Sequence, residues 1–114
     1  MHELGIVFSI LDRLEDVAKE ENLSHIKRVT LEVGEVSTVI PEYVTPCFDW
    51  AVKKRPLFGD TTLEIDTIHA ITVCNSCHKT YDTVPNGITC PYCGSRETEL
   101  VTGNEINIKE IEAE

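Results

Sequence analysis

Two Cys-x-x-Cys pairs, Cys74-Asn-Ser-Cys77 and Cys90-Pro-Tyr-Cys93, constrain this chain more than any other feature. One such pair lets a tight turn aim two sulfurs at a single ion, and a second pair closes a tetrahedral shell. Twelve residues separate the pairs, enough to return the chain to the first turn. Gly94, just after the last cysteine, relieves crowding where the backbone folds round the sulfur. Zinc favours such a thiolate tetrahedron, with bonds of about 2.3 Å. Four thiolates leave no open position for water, so the spacing predicts a structural zinc site rather than a catalytic one.

Three other readings of the cysteines fit less well. Cys74-Asn-Ser-Cys77-His78 has the form of a c-type haem attachment, which leaves the second pair without a role. A thioredoxin-like redox pair needs a βα context that the flanking residues lack. A nucleic-acid-binding ribbon conflicts with charge: ten Lys and Arg against twenty Asp and Glu give −10, which repels phosphate backbones and anionic lipid. His69 and His78 flank the first pair and are candidate modifiers of the ligation, although exposed histidines are the ordinary case there. The fifth cysteine, Cys47, sits among Phe48, Trp50 and Val52 and reads as a small buried hydrophobe.

At 114 residues the chain suits one compact domain with a small appendage. Leu4, Val7, Phe8, Leu11, Leu14, Val17 and Ala18 recur at three- and four-residue intervals, predicting an amphipathic helix over 4–21 that ends near Asn22. Val29, Leu31 and Val33 alternate with polar residues as in a half-buried strand, and Gly34 marks its end or a bulge. Pro41 suits the first turn of a second helix. Pro46 leaves two versions of it, one kinked and one capped by Thr45 and running from Pro46 to about Lys54. Further strands are expected over 61–67, 97–102 and 105–111, with Ile111 one step out of phase and a turn at Gly103-Asn104.

The expected fold class is therefore α+β: a small mixed sheet of about three strands covered by two helices, with an inserted zinc-ribbon-like module. Residues 1–68 plus 104–114 form the main domain in this reading, and 69–103 the cysteine module. No nucleophile, acid–base pair or phosphate-binding glycine loop suggests an enzyme. Glu3 stands where a signal peptide carries positive charge, and Asp12 and Arg13 interrupt the apolar run. No stretch nears the ~18–20 apolar residues that span a bilayer. These features point to the cytoplasm, and a monomer is the default, with dimerisation open.

Met1-His2-Glu3 precedes the first helix. A terminal amine with a pKa near ~8 loses its proton at modest cost on binding a metal. The His2 amide nitrogen closes a five-membered chelate ring with that amine, and the His2 imidazole closes a six-membered one. Glu3 offers a fourth donor through its amide nitrogen or carboxylate. A planar, nitrogen-rich set suits nickel(II) or copper(II) better than zinc. The same residues equally fit a solvated chain end, with Glu3 stabilised by the helix dipole.

The chain as a whole resembles the HypA family and its relative HybF. The resemblance is carried by Met1-His2-Glu3-Leu4 opening a helix, Val29-Thr-Leu-Glu-Val-Gly-Glu-Val36, Pro41-Glu42, the paired cysteine motifs, and Gly103-Asn-Glu-Ile-Asn-Ile-Lys-Glu-Ile-Glu112. It implies a nickel metallochaperone for nickel-iron hydrogenase maturation. His2 is then the essential nickel ligand, with the Met1 amine, the His2 amide and Glu3 around it, and zinc sits on Cys74, Cys77, Cys90 and Cys93. The implied partners are the GTPase HypB and the hydrogenase large-subunit precursor, with urease maturation proteins in some members. Pro46 departs from the helix-compatible residue more usual in the family.

Overall fold

The computed structural model describes residues 3–114. The first helix, α1 (Glu3–Glu21), buries Val7, Leu11, Leu14 and Ala18, the face set by the three–four spacing. Asn22 follows in the left-handed region (φ 55°), and the Leu23 N–H returns to the Ala18 carbonyl at 2.9 Å. That six-to-one bond is the Schellman ending, with asparagine in the place glycine most often takes.

Strand β1 (Ile26–Gly34) carries Val29 and Leu31 on its buried side. Helix α2 (Pro41–Ala51) starts with Pro41 in its first turn, where a missing N–H costs nothing. It runs unbroken through Pro46, so the version capped by Thr45 is not the one adopted. Pro46 and Glu42 both lie on the exposed side of α2, where the hydrogen bond that proline removes is least costly. Two 3-10 turns, Val52–Lys54 and Pro56–Phe58, lead to β2 (Thr62–Ile68).

Then come β3 (Ile71–Cys74), β4 (Thr80–Asp82), a one-turn α3 (Thr83–Asn86), β5 (Thr98–Thr102) and β6 (Ile106–Ala113). The strands form two three-stranded sheets, β2-β1-β6 and β4-β3-β5. Strands β1 and β2 are parallel, since their partners climb together. Thr61 and Thr62 donate to the Ile26 and Lys27 carbonyls, and the Glu35 N–H reaches the Ile68 carbonyl at 2.9 Å. Parallel neighbours need a crossover, here α2 and its 3-10 turns. Strand β6 runs antiparallel to β1, with Gly34 donating to Glu105 at 2.7 Å and Glu114 to His25 at 2.9 Å. The first sheet is mixed and three-stranded, as expected.

One face of this sheet is ionic. Arg28 approaches Glu112 (3.4 Å) and Glu64 (3.9 Å), and Lys109 meets Asp66 at 2.8 Å. The opposite face carries Val29 and Leu31, whose burial matches the buried stripes of α1 and of α2 (Val44, Phe48, Ala51). Ile106, Ile108, Ile111 and Ala113 are the half-buried positions of β6, so the phase slip at Ile111 lies inside one continuous strand.

The chain divides into two compact units. The first holds residues up to Glu32, Thr38–Asp66 and Asn107–Glu114; the second holds Val33–Ser37 and Thr67–Ile106, including all four paired cysteines. The second unit has its own sheet, in which β3 pairs antiparallel with both β4 and β5. Sequence patterning missed β3 and β4, which are only four and three residues long. Within this unit Gly34 and Gly103 approach so closely that a Cβ on Gly34 would lie 2.1 Å from the Gly103 carbonyl oxygen.

Candidate metal centre

The four paired cysteines converge on one point, their sulfurs all within 4.8 Å of one another. Cys74 Sγ lies 3.6 Å from Cys93 Sγ, and Cys77 Sγ lies 3.7 Å from Cys90 Sγ. A disulfide needs about 2.05 Å. A tetrahedron of sulfurs about 2.3 Å from a central ion has edges of about 3.8 Å. The separations therefore match thiolates gathered round one metal ion, each contact joining one sulfur from each pair.

The two pairs sit on separate loops with the same backbone hydrogen-bond pattern. In the first, Cys74 N–H donates to the Lys79 carbonyl (2.9 Å) and His78 N–H to the Cys74 carbonyl (2.8 Å). In the second, Cys90 N–H donates to Ser95 (2.8 Å) and Gly94 N–H to Cys90 (2.9 Å). The residue after each pair is left-handed, His78 at φ 65° and Gly94 at φ 78°. Gly94 meets that requirement freely, whereas His78 adopts it against the steric preference of a Cβ. His78→Gly should therefore stabilise the metal-loaded chain by about 0.5–1 kcal/mol, seen as a rise in the urea midpoint with unchanged metal content. A drop in metal content would instead give the imidazole a part in ligation.

Backbone N–H groups aim at the sulfurs: Cys77 N–H at Cys74 Sγ (3.5 Å) and Tyr92 N–H at Cys90 Sγ (3.4 Å). The Cys77 N–H, helped by that of Ser76, brings the Cys74 thiol down to about 6 although burial opposes it. Burial pushes Cys90 upward, but the N–H groups of Tyr92 and Cys93 outweigh it and the thiol ends lowered. At Cys93 the Ser95 N–H favours the thiolate, yet the neighbouring Cys74 sulfur and burial drive it up to about 11. Four thiolates in so small a space repel one another, and a central cation removes that repulsion.

The loops are tied together around the sulfurs. Asn75 N–H donates to the Glu97 carbonyl (2.8 Å), Ser76 Oγ meets Ser95 Oγ (2.8 Å), and the Lys79 ammonium lies 4.8 Å from the Tyr92 ring centre. Cys74, Tyr81 and Cys90 are buried with Cys77 packed against them, and these sulfurs are the heart of the local core. Tyr81 donates its hydroxyl to the Gly87 carbonyl at 3.0 Å. A cluster whose one large side chain is Tyr81 gains little from hydrophobic burial, so an ion is a large part of its cohesion.

His69 does not join the cysteines. Its Nε2 lies 2.9 Å from Asp82 and its Nδ1 3.3 Å from Glu35, whose carboxylate also accepts the Ala70 N–H. The Asp82 hydrogen bond raises the His69 pKa, with burial opposing and both carboxylate charges assisting. Cys47 is half-buried in α2. Of the N-terminal triad, Met1 and His2 lie outside the described residues. Glu3 opens α1, is 5% exposed, and accepts the Ile40 N–H on Oε2 at 3.2 Å.

Comparison with known proteins agrees with this arrangement. Residues 1–113 match the family model described as hydrogenase/urease nickel incorporation, metallochaperone, HypA. The hydrogenase maturation factor HypA of Trichodesmium erythraeum is 41% identical, covering 100% of this chain and 96% of that one. Its counterpart from Dechloromonas aromatica is 35% identical over the full length of both. The solution structure of the Ni metallochaperone HypA from Helicobacter pylori shares the fold, with TM-score 0.75, 24% identity, and 99% and 97% of the two chains covered. A full-length family match, relatives above 30% identity and the gathered cysteine quartet together make this chain a member of the HypA family, nickel-incorporation metallochaperones rather than enzymes.

Proposed function

We infer that this chain binds one nickel(II) ion at Met1, His2 and Glu3 and delivers it for maturation of nickel-iron hydrogenase. Zinc on Cys74, Cys77, Cys90 and Cys93 holds the second unit together. The observation that carries this reading is the closed cysteine quartet in a family of nickel carriers. Four thiolates saturate a tetrahedral ion, so a cargo that must leave by stepwise ligand exchange belongs elsewhere. Among the described residues the cysteines are the group whose ligand atoms converge on one point; His69, Asp82 and Glu35 instead pair through opposite nitrogens of the ring.

The N-terminal amine, the His2 amide nitrogen and the His2 imidazole supply three donors, and Glu3 the fourth. Glu3 opens α1, so its amide and its carboxylate both stand at the start of the helix. Its carboxylate holds the Ile40 N–H, which ties the start of α1 to that of α2. Affinity near micromolar, roughly 8 kcal/mol, suits a carrier that must also release. Protonation of the amine and imidazole at lower pH favours release.

The division of labour gives nickel to residues 1–68 with 104–114 and the structural ion to 69–103. HypB is the expected GTPase partner and the hydrogenase large-subunit precursor the recipient, with urease maturation proteins as a second outlet. No described helix is long and apolar enough to cross a membrane, in keeping with a cytoplasmic carrier.

Nickel titration by calorimetry on zinc-loaded protein with its native N-terminus tests the site. Wild type should bind one nickel and His2→Ala none. Equal binding by both, or none by either, would favour a zinc-ribbon adaptor that carries no transferable metal.

A further inference from the structure

Helices α1 and α2 run side by side in the same direction. Glu3 and Ile40 join their starts, and Arg55, just past α2, reaches Asp12 (3.0 Å) and Glu15 (2.9 Å) further along α1. With Val44, Phe48 and Ala51 turned into the core, Tyr43, Cys47 and Trp50 fall on an adjacent strip at i, i+4 and i+7. Tyr43 is 57% and Trp50 60% exposed. Beside Trp50 opens a cleft of about 400 Å³, lined by Phe8, Trp50, Ala51, Lys53, Lys54 and Arg55. Phe8 and Trp50 meet edge to face at 6.3 Å and 65°, and the Arg55 guanidinium lies 5.8 Å from the Phe8 ring centre.

The rim has a charge of its own. Arg55 is neutralised by Asp12 and Glu15, but Lys53 and Lys54 are exposed and form no ion pair among the described residues. They stand at an aromatic cleft on a chain whose net charge is −10. We propose that this cleft is a docking site for an acidic segment of a partner protein. The segment seats an aromatic or aliphatic side chain against Phe8 and Trp50 and sets its carboxylates on Lys53 and Lys54.

Charge complementarity selects that occupant. An acidic partner is repelled by most of this surface and attracted at the lysine rim, which fixes where it lands. Exposed tryptophan beside phenylalanine and arginine has the composition of an interface centre, and Lys53 and Lys54 suit its polar rim. A small phosphate-bearing ligand fits less well, because the guanidinium is already paired and no glycine loop faces the cleft. The proposal stands whether or not nickel binds at the N-terminus.

Panning a random dodecapeptide library on the full, zinc-loaded chain tests it, with Trp50→Ala and Lys53→Glu/Lys54→Glu proteins as comparators. All four residues involved are exposed or half-exposed, and melting curves check that the variants fold. The expected result is enrichment of peptides with Asp or Glu flanking an apolar residue, absent on both comparators. Trp50 is the chain's one tryptophan, so its emission follows binding of the selected peptide directly. Emission should shift to the blue, with binding at least tenfold weaker in the double lysine variant and weaker at high salt. Enrichment without acidic residues, equal enrichment on Trp50→Ala, or no enrichment overturns the proposal. So does displacement of the peptide by ATP at comparable concentration, which makes the cleft a small-anion site. Self-association abolished by Trp50→Ala would overturn it in favour of a second copy of the chain.

Discussion

Cys90→Ala should leave the second unit unable to hold its ion or its fold. Cys90 is 1% exposed and sits in the local core with Cys74 and Tyr81. Removing its sulfur breaks the tetrahedral shell and empties part of that core at once. Structural zinc sites contribute apparent binding energies of roughly 10–16 kcal/mol near neutral pH, far beyond what one buried tyrosine can replace. Cobalt(II) loaded into the quartet gives a direct readout. Wild type should show tetrahedral tetrathiolate absorption and Cys90→Ala should lose it, together with amide protection across β3, β4 and β5. Cys47→Ala, a half-buried helix position, should keep metal content unchanged. A Cys90→Ala protein that still holds one tight equivalent of metal would remove the quartet from its assigned role.

Gly34→Ala should cost about 3 kcal/mol or more. The new Cβ would lie 2.1 Å from the Gly103 carbonyl oxygen, 2.2 Å from its carbon and 2.6 Å from the Asn104 nitrogen. All three are backbone atoms, so no side chain can swing aside. The backbone itself is held in place. Gly34 N–H donates to the Glu105 carbonyl (2.7 Å), Val36 N–H to Gly103 (2.8 Å), and Gly103 N–H to the Glu105 carboxylate (2.6 Å). Gly5→Ala is the contrasting substitution, because a Cβ there meets nothing within 4 Å and Gly5 lies in α1. It should stabilise by about 0.5–1 kcal/mol. Urea midpoints measured on metal-loaded protein should move in opposite directions for the two changes. A Gly34→Ala midpoint within experimental error of wild type would mean that the two segments separate easily.

Much of this was legible in the sequence where side-chain periodicity is decisive. The spacing of Val7, Leu11, Leu14 and Ala18 marked α1, and Asn22 its end. Alternation at Val29 and Leu31 marked β1, and Pro41 the start of α2. The cysteine pairs announced their own convergence, since nothing else explains two such turns in one chain. Legibility failed where backbone geometry, not side-chain pattern, decides. Strands β3 and β4 are too short for alternation to register, and β3 ends in Cys74, whose sulfur is committed to the quartet. Gly34 read as a strand end or bulge and Gly103 as a turn, and no local signal says that they meet. Pro46 was ambiguous because its tolerance depends on which side of α2 is exposed, a tertiary fact. The left-handed His78 was also missed, although its place after Cys77 matches that of Gly94 after Cys93. No sequence pattern marks Lys53 and Lys54; the structure sets them beside Trp50 and Phe8.

The order of strands along the chain has a consequence for biosynthesis. Strand β6 completes the first sheet by pairing with β1, yet it is made after all four paired cysteines and the strands around them. On the ribosome, α1, β1, α2 and β2 must therefore wait, one sheet edge unprotected, while the intervening segment emerges. Capture of an ion during that interval shortens the loop between β2 and β6 and lowers the entropic cost of bringing β6 back to β1. A cell starved of the structural metal would then accumulate nascent chains whose open edge invites aggregation, before any question of nickel supply arises.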